Sequence, residues 1–191
     1  MARIRTFIAV ELGPGVIKRA GDLIDKLRVA DAQVGWVKPQ HMHLTLKFLG
    51  DVSDTETPDI CRVVAQAAGQ IEPFEIICRG AGAFPDIQRP KTLWIGITDG
   101  AEELKALQAA IEDALKTELG YPKEPRGFHP HLTIGRVKHA SAMGRGDLEH
   151  LLEKHRDFDA DLAVIDEVVT FASFLERKGP THEAMGRAEL K

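Results

Sequence analysis

The segment Ile4 to Val10 is rich in apolar and β-branched residues and predicts a strand. After Pro14 the period changes. Val16, Ile17, Ala20, Leu23, Ile24 and Leu27 recur at helical spacing, with Pro14 in the first turn, where its missing N–H has no intrahelical partner to lose. A loop holding Gly35 and Pro39 follows, and then HLTLKFLG, residues 43–50, alternates polar and apolar as a half-buried strand does. Ser53 and Glu56 form a capping-box pattern ahead of a second amphipathic segment with Ile60, Val63, Val64 and Ala67, and Phe74 to Cys78 predicts a third strand.

The order then recurs. Thr92 to Thr98 predicts a strand, and Asp99 and Glu102 take the cap and third positions of a helix with Leu104, Leu107, Ile111 and Leu115 that ends near Gly120. HPHLTIGR, residues 129–136, predicts the next strand. A shorter helix around Leu148, Leu151 and Leu152 and a strand from Leu162 to Phe171 complete the pattern. Strand, helix, strand, helix, strand is thus read twice. The interval from Phe7 to His43 nearly equals that from Trp94 to His131, and each half opens its middle strand on His-x-Thr. This predicts two repeats, roughly 1–85 and 90–175, packed as lobes with helices outside and the middle strands facing a shared cleft. The competing architecture is a parallel doubly wound sheet.

At 191 residues the chain fits one domain, and 43% hydrophobic with 28% charged residues is ordinary for a globular protein. Cys61 and Cys78 fall on an apolar helix face and an apolar strand and read as reduced core thiols. The opening MARIRTFIAVEL meets Glu11 after a short apolar run, so it reads as neither a signal peptide nor a membrane span, and a cytoplasmic location is expected. A net charge of −4 argues against a protein that tracks along nucleic-acid phosphates. A short phosphate-bearing end stays compatible with it. The charge and the absence of heptads point to a monomer.

Residues two apart in a strand share a face, so His43 and Thr45 are predicted together, opposite Leu44 and Leu46. His131 and Thr133 repeat this opposite Leu132 and Ile134. Two imidazoles and two hydroxyls then meet in one cleft. Histidine titrates near neutrality, so one copy can take a proton while the other gives one, as in-line cleavage of a phosphodiester requires. The threonine hydroxyls are suited to donate to non-bridging oxygens, and Arg136 adds a fixed cation. Strict alternation puts Arg136 opposite Thr133, so it reaches the phosphate only if the strand ends or bulges near Gly135. The same alternation packs Phe48 into the core and leaves Lys47 on the His43 face as an exposed cation.

His41 and His129 extend both motifs to His-x-His. That is a metal-binding pattern, but no carboxylate or cysteine stands at ligand spacing, so these residues read as orienting the strand starts. His139, His150, His155 and His182 carry no motif and read as surface residues. The loop from Tyr121 to Phe128 is expected to border the cleft, with Arg126 as a phosphate contact.

WVKPQHMHLTLKFLGDV and FHPHLTIGR resemble the paired signatures of the 2H phosphoesterases, in particular the bacterial and archaeal RNA 2′,3′-cyclic phosphodiesterases, historically called 2′-5′ RNA ligases. The likeness extends through RTFIAVEL and RPKTLWIGI to SFLERKGPTHEAM. It implies one bilobal α+β domain over 1–191, two antiparallel sheets flanking a water-filled cleft, a closing hairpin region, and neither metal nor cofactor. It also implies hydrolysis of a terminal 2′,3′-cyclic phosphate on RNA to a 2′-phosphomonoester. His43 would be the proton donor and His131 the proton acceptor, Thr45, Thr133 and Arg136 would hold the phosphate, and Phe48 stands where such proteins place a ring against the terminal base. Partners would be RNA ends with a 2′,3′-cyclic phosphate, or 2′-5′-linked RNA if the reaction runs in reverse as ATP-independent joining. Two other classes compete: a non-catalytic RNA-end binding module, and a metallo-phosphodiesterase built on the His-x-His pairs.

Overall fold

The computed structural model describes residues 3–176 and 179–191, so Arg177 and Lys178 of the expected closing hairpin region lie outside the described residues. The chain starts with β1 (Arg3–Glu11) and α1 (Pro14–Leu27), whose Val16, Ala20, Leu23, Ile24 and Leu27 are buried as their spacing predicts. The stretch read as a loop contains a strand, β2 (Ala32–Trp36), and a 3-10 turn over Pro39–His41. Its five residues are too few, and Gly35 too weak a strand former, for alternation to reveal it. β3 (His43–Ser53), α2 (Thr57–Ala68), β4 (Phe74–Phe84) and β5 (Thr92–Ile97) follow. Of the Ser53 and Glu56 pair, the Glu56 carboxylate accepts from the Ser53 N–H at 3.0 Å, but the helix starts at Thr57, three residues after the place a cap at Ser53 sets.

α3 (Ala101–Leu119) is capped by Gly100 rather than Asp99, and the cap position suits glycine, since its φ is 73° and a Cβ there would lie only 2.3 Å from the Glu75 carbonyl oxygen. Then come β6 (His131–Ala140), α4 (Ala142–Lys154), β7 (Asp159–Ile165), β8 (Glu167–Glu176) and β9 (Gly179–Glu189). The segment predicted as one strand over Leu162 to Phe171 is therefore two. They part at Asp166 and join different sheets.

Every paired strand is antiparallel, which sets aside a parallel doubly wound sheet. One sheet runs β3-β1-β8-β9 and the other β2-β6-β5-β4-β7. Neither sheet comes from one part of the chain alone. β4 leaves β1 and β3 to pair with β5, while β8 leaves β5 and β6 to pair with β1. The two lobes are thus tied together by exchanged strands, where the sequence predicted one lobe from each half.

Helices cover the outer faces: α1 packs on β7, α2 on β8 and β9, α4 on β4, and α2 lies against α3. The main core fills the space beneath them, with Ile8, Val10, Leu44, Leu93, Ile95 and Leu132 pointing into it from the sheets. A separate small cluster of Phe7, Ala9, Val169 and Phe171 lies on the opposite face of the first sheet. Ile8 and Val10 face the helices while Phe7 and Ala9 face away from them, as strand parity requires. Burial of two phenylalanines on that inner face contributes roughly 3–6 kcal/mol and makes an apolar floor. Cys61 and Cys78 are free thiols, as expected. No helix among the described residues is long and apolar enough to cross a membrane.

Candidate active site

β3 and β6 pack against one another where the two sheets meet. The chain arrives at His43 straight from the second sheet, since Trp36 pairs with Gly135 of β6 and the Val37 N–H donates to the Ile134 carbonyl at 2.9 Å. This short crossing from β2 ties the start of β3 to β6.

Both strands break their alternation at the same step. Along β1, Thr45 pairs with Ala9, Lys47 with Ile8 and Phe48 with Phe7, which leaves Leu46 as an extra residue. Along β5, Thr133 pairs with Trp94 and Gly135 with Leu93, which leaves Ile134 extra. From His43 to Asp51 and from His131 to His139, half-buried, buried and exposed positions follow in the same order, residue for residue. By ladder position Trp94 corresponds to Ala9, not to Phe7 as the sequence interval implied.

The bulge changes what each following residue does. Arg136 is carried to the exposed side beside Thr92, to whose Oγ1 its Nη1 donates at 3.5 Å, so the expected irregularity near Gly135 is present. A Cβ on Gly135 would lie 2.8 Å from Val34 and 2.9 Å from Trp36, so a larger residue there would have to displace those side chains. Phe48 is not a core residue. It is 57% exposed, with its ring 6.0 Å from that of Phe7. Lys47, expected in solvent, is 3% exposed, and its Nζ donates to Glu112 Oε1 at 2.7 Å and to the Pro122 carbonyl at 2.9 Å. Glu112 also accepts from the Glu124 N–H, so this buried pair fastens the loop after α3 to β3. Arg126 of that loop is exposed.

His43 stacks on Phe7 at 4.8 Å between ring centroids, with Phe171 at 6.0 Å. His182, read from sequence as a surface residue, stands edge-on to His43 at 5.4 Å, to Phe7 at 5.0 Å, and 5.3 Å from His41. Burial, then the neighbouring His182 and His41, hold His43 at a pKa of about 4, against a weaker opposing hydrogen bond with the His41 backbone. His131 is lowered as well, first by burial and then by Arg136 and His129. Its Nδ1 lies 2.6 Å from the His129 carbonyl oxygen. A carbonyl only accepts, so Nδ1 carries the hydrogen and Nε2 is left bare to take a proton. The ring of Phe84 meets His131 edge-on at 5.0 Å and lies against Trp94. The backbone of His41 and of His129, two residues upstream, meets the ring of the motif histidine that follows it. Among the described residues no three His, Cys, Asp or Glu side chains are grouped to hold a metal ion.

Sequence reading missed Phe7, Phe84, Phe171 and His182 as parts of the site. The first three could have been found by pairing each motif strand with its neighbours. His182 carries no such signal.

Two antiparallel sheets each bring a bulged His-x-Thr strand to their meeting line, the arrangement expected of the 2H phosphoesterase class. The profile of the 2′-5′ RNA ligase superfamily matches residues 16–174, and the chain belongs to that family. A protein named RNA 2′,3′-cyclic phosphodiesterase from Methanothermobacter thermautotrophicus is 35% identical over 96% of this chain and 97% of its own length. Another of the same name from Aquifex aeolicus is 33% identical over 77% of each. Among solved structures, a protein from Thermus thermophilus superposes with a TM-score of 0.81 at 25% identity, covering 97% of both chains. E. coli LigT complexed with 3′-AMP shares the fold, with a TM-score of 0.75 at 21% identity over 99% of both.

Proposed function

We propose that this chain hydrolyses the terminal 2′,3′-cyclic phosphate of RNA to a 2′-phosphomonoester, with two histidines moving the protons and with no metal or cofactor. The observation that carries the reading is the pair of identically bulged His-x-Thr strands at the junction of the sheets. The name shared by its relatives supports the substrate class.

In this reading the bare Nε2 of His131 takes a proton from water as its oxygen attacks phosphorus. The bond from phosphorus to O3′ breaks on the opposite side, and His43 gives its proton to the departing O3′. Thr45 and Thr133 donate to the non-bridging oxygens, and Arg136 opposes the charge that builds there. Phe48 offers a ring to the terminal base. A neutral His131 suits the base role, and its lowered pKa favours that form. A proton on His43 is disfavoured in the free protein, and the anionic phosphate restores it by favouring the imidazolium.

With a ribose 5′-hydroxyl in place of water as the nucleophile, the same groups form the bond from phosphorus to O5′, break that to O3′ and so join 2′-5′ RNA ends, and the family's name favours keeping this second reading. Residues 1–191 act as one domain and as a cytoplasmic monomer, with repeats over roughly 1–85 and 90–175. The matching bulges of β3 and β6 support the repeats.

The test supplies purified protein and chelator with an oligonucleotide ending in a 2′,3′-cyclic phosphate. A product bearing its phosphate on the 2′ oxygen is expected. A 3′-phosphate reverses the assignment of the broken bond, and no product at any pH leaves only an RNA-end binding module.

A further inference from the structure

Residues paired directly across neighbouring strands share a face, so the register lays out the inner face of the first sheet in rows. Thr45, Ala9, Val169 and Arg187 form one row. Phe48, Phe7, Phe171 and Ala184 form the next, and Asp51, Arg5, Ser173 and His182 the one after. The inner face therefore passes from Thr45, across an aromatic row, to a row that carries Arg5.

At that end Arg3, Arg5, Gly50, Asp51, Ser173 and Phe174 line an open cavity of about 560 Å³. Arg3 is fixed there by its Nη2, which donates to the Asp51 carbonyl at 2.7 Å. Arg5 has neither an ion pair nor a side-chain hydrogen bond among the described residues. Among the described residues of the lining Asp51 is the only carboxylate, set against two guanidinium groups.

The direction of the substrate follows from the chemistry. In an in-line displacement the entering water and the departing O3′ lie on opposite sides of phosphorus. O3′ belongs to the ribose, so the nucleoside and the chain on its 5′ side extend from the His43 side, over the first sheet. Resting on the hydrolase reading, we propose that Arg5, assisted by Arg3, binds the phosphodiester that precedes the terminal nucleotide, with that nucleotide's base over Phe48. Arg5 lies two residues beyond the aromatic row, about 7 Å along β1, and its side chain extends the reach across one nucleoside. The ligand is thus an RNA strand with a cyclic end, recognised at two successive phosphates, rather than a free cyclic nucleotide.

The experiment compares the full chain with Arg5→Gln and Arg5→Lys on adenosine 2′,3′-cyclic phosphate and on a trinucleotide with the same cyclic end. Arg5→Gln is expected to lower kcat/KM on the trinucleotide about tenfold, through KM, with a shallower salt dependence. On the mononucleotide the change is expected to stay below about twofold, and Arg5→Lys to recover most of the loss. Equal losses on both substrates, or no loss on either, overturn the subsite. If the wild type turns over neither substrate, the hydrolase reading fails instead. Equilibrium binding of adenosine 2′-phosphate and of a trinucleotide ending in a 2′-phosphate then decides the subsite. Weakening by Arg5→Gln confined to the trinucleotide supports it, and unchanged affinity for both refutes it.

Discussion

The strands that carry His43 and His131 bulge at the same step after His-x-Thr, and the side chains beyond the bulge differ: Lys47 and Phe48 on β3, Gly135 and Arg136 on β6. The inward position is filled from within by Lys47, whose charge is met by Glu112 and the Pro122 carbonyl. In β6 it is filled from outside, by Val34 and Trp36 pressing on a bare glycine. The outward position is a ring in one case and a guanidinium in the other. One backbone plan thus carries two sets of side chains, apolar and aromatic around His43 and cationic beyond His131. A nucleotide end has the same division between base and phosphate.

The largest effect is expected where β3 buries its charge. Lys47→Met leaves the Glu112 carboxylate without its cation in a site almost closed to water, and removing one member of such a pair costs about 3 kcal/mol or more. Burial raises the Glu112 carboxyl, but the bonds from Lys47 and from the Glu124 N–H outweigh it and leave the group below its ordinary value. Denaturant unfolding should show the loss, and a change under about 1 kcal/mol means the pair does not hold β3 to the loop. Next, Arg136→Gln should lower kcat about a hundredfold, with a smaller change in KM, because its charge matters most as the phosphate gains charge. Phe48→Ala should do the reverse. Its KM rises about tenfold with kcat nearly kept, the measure of one lost base stack. If both variants lose kcat and KM in the same proportion, the two sets do not divide the work.

The legibility of this site in sequence follows the same contrast. Period-2 alternation located β3, apolar and β-branched runs located β1, β4 and β5, and helical spacing located α1, α2 and α3, because each buries one face against a single core. His43, Thr45, His131 and Thr133 stood out because the motif recurs in a recurring frame. Alternation failed at Phe48 and Lys47, since a bulge shifts parity without leaving a mark unless a glycine stands there, as at Gly135. β2 was too short to read, and the parting at Asp166 was hidden because two successive apolar strands look like one. The exchange of β4 and β8 is a long-range pairing that no local pattern encodes. His182 became visible only when β9 came to lie beside β8.

The division of proton work between His43 and His131 is tested most directly by the pH dependence of kcat/KM, measured with chelator on the cyclic-ended trinucleotide. That parameter reports the free protein, in which His43 titrates near 4 and His131 below 6.5. In the proposed mechanism the active form has a proton on His43 and none on His131. The rate should therefore fall at low pH, where His131 gains a proton, and at high pH, where His43 keeps none, with a maximum below pH 6.5. For kcat the maximum should move to higher pH, because the bound phosphate anion favours both imidazolium forms. A flat kcat/KM profile, or one still rising above pH 6.5, contradicts the account.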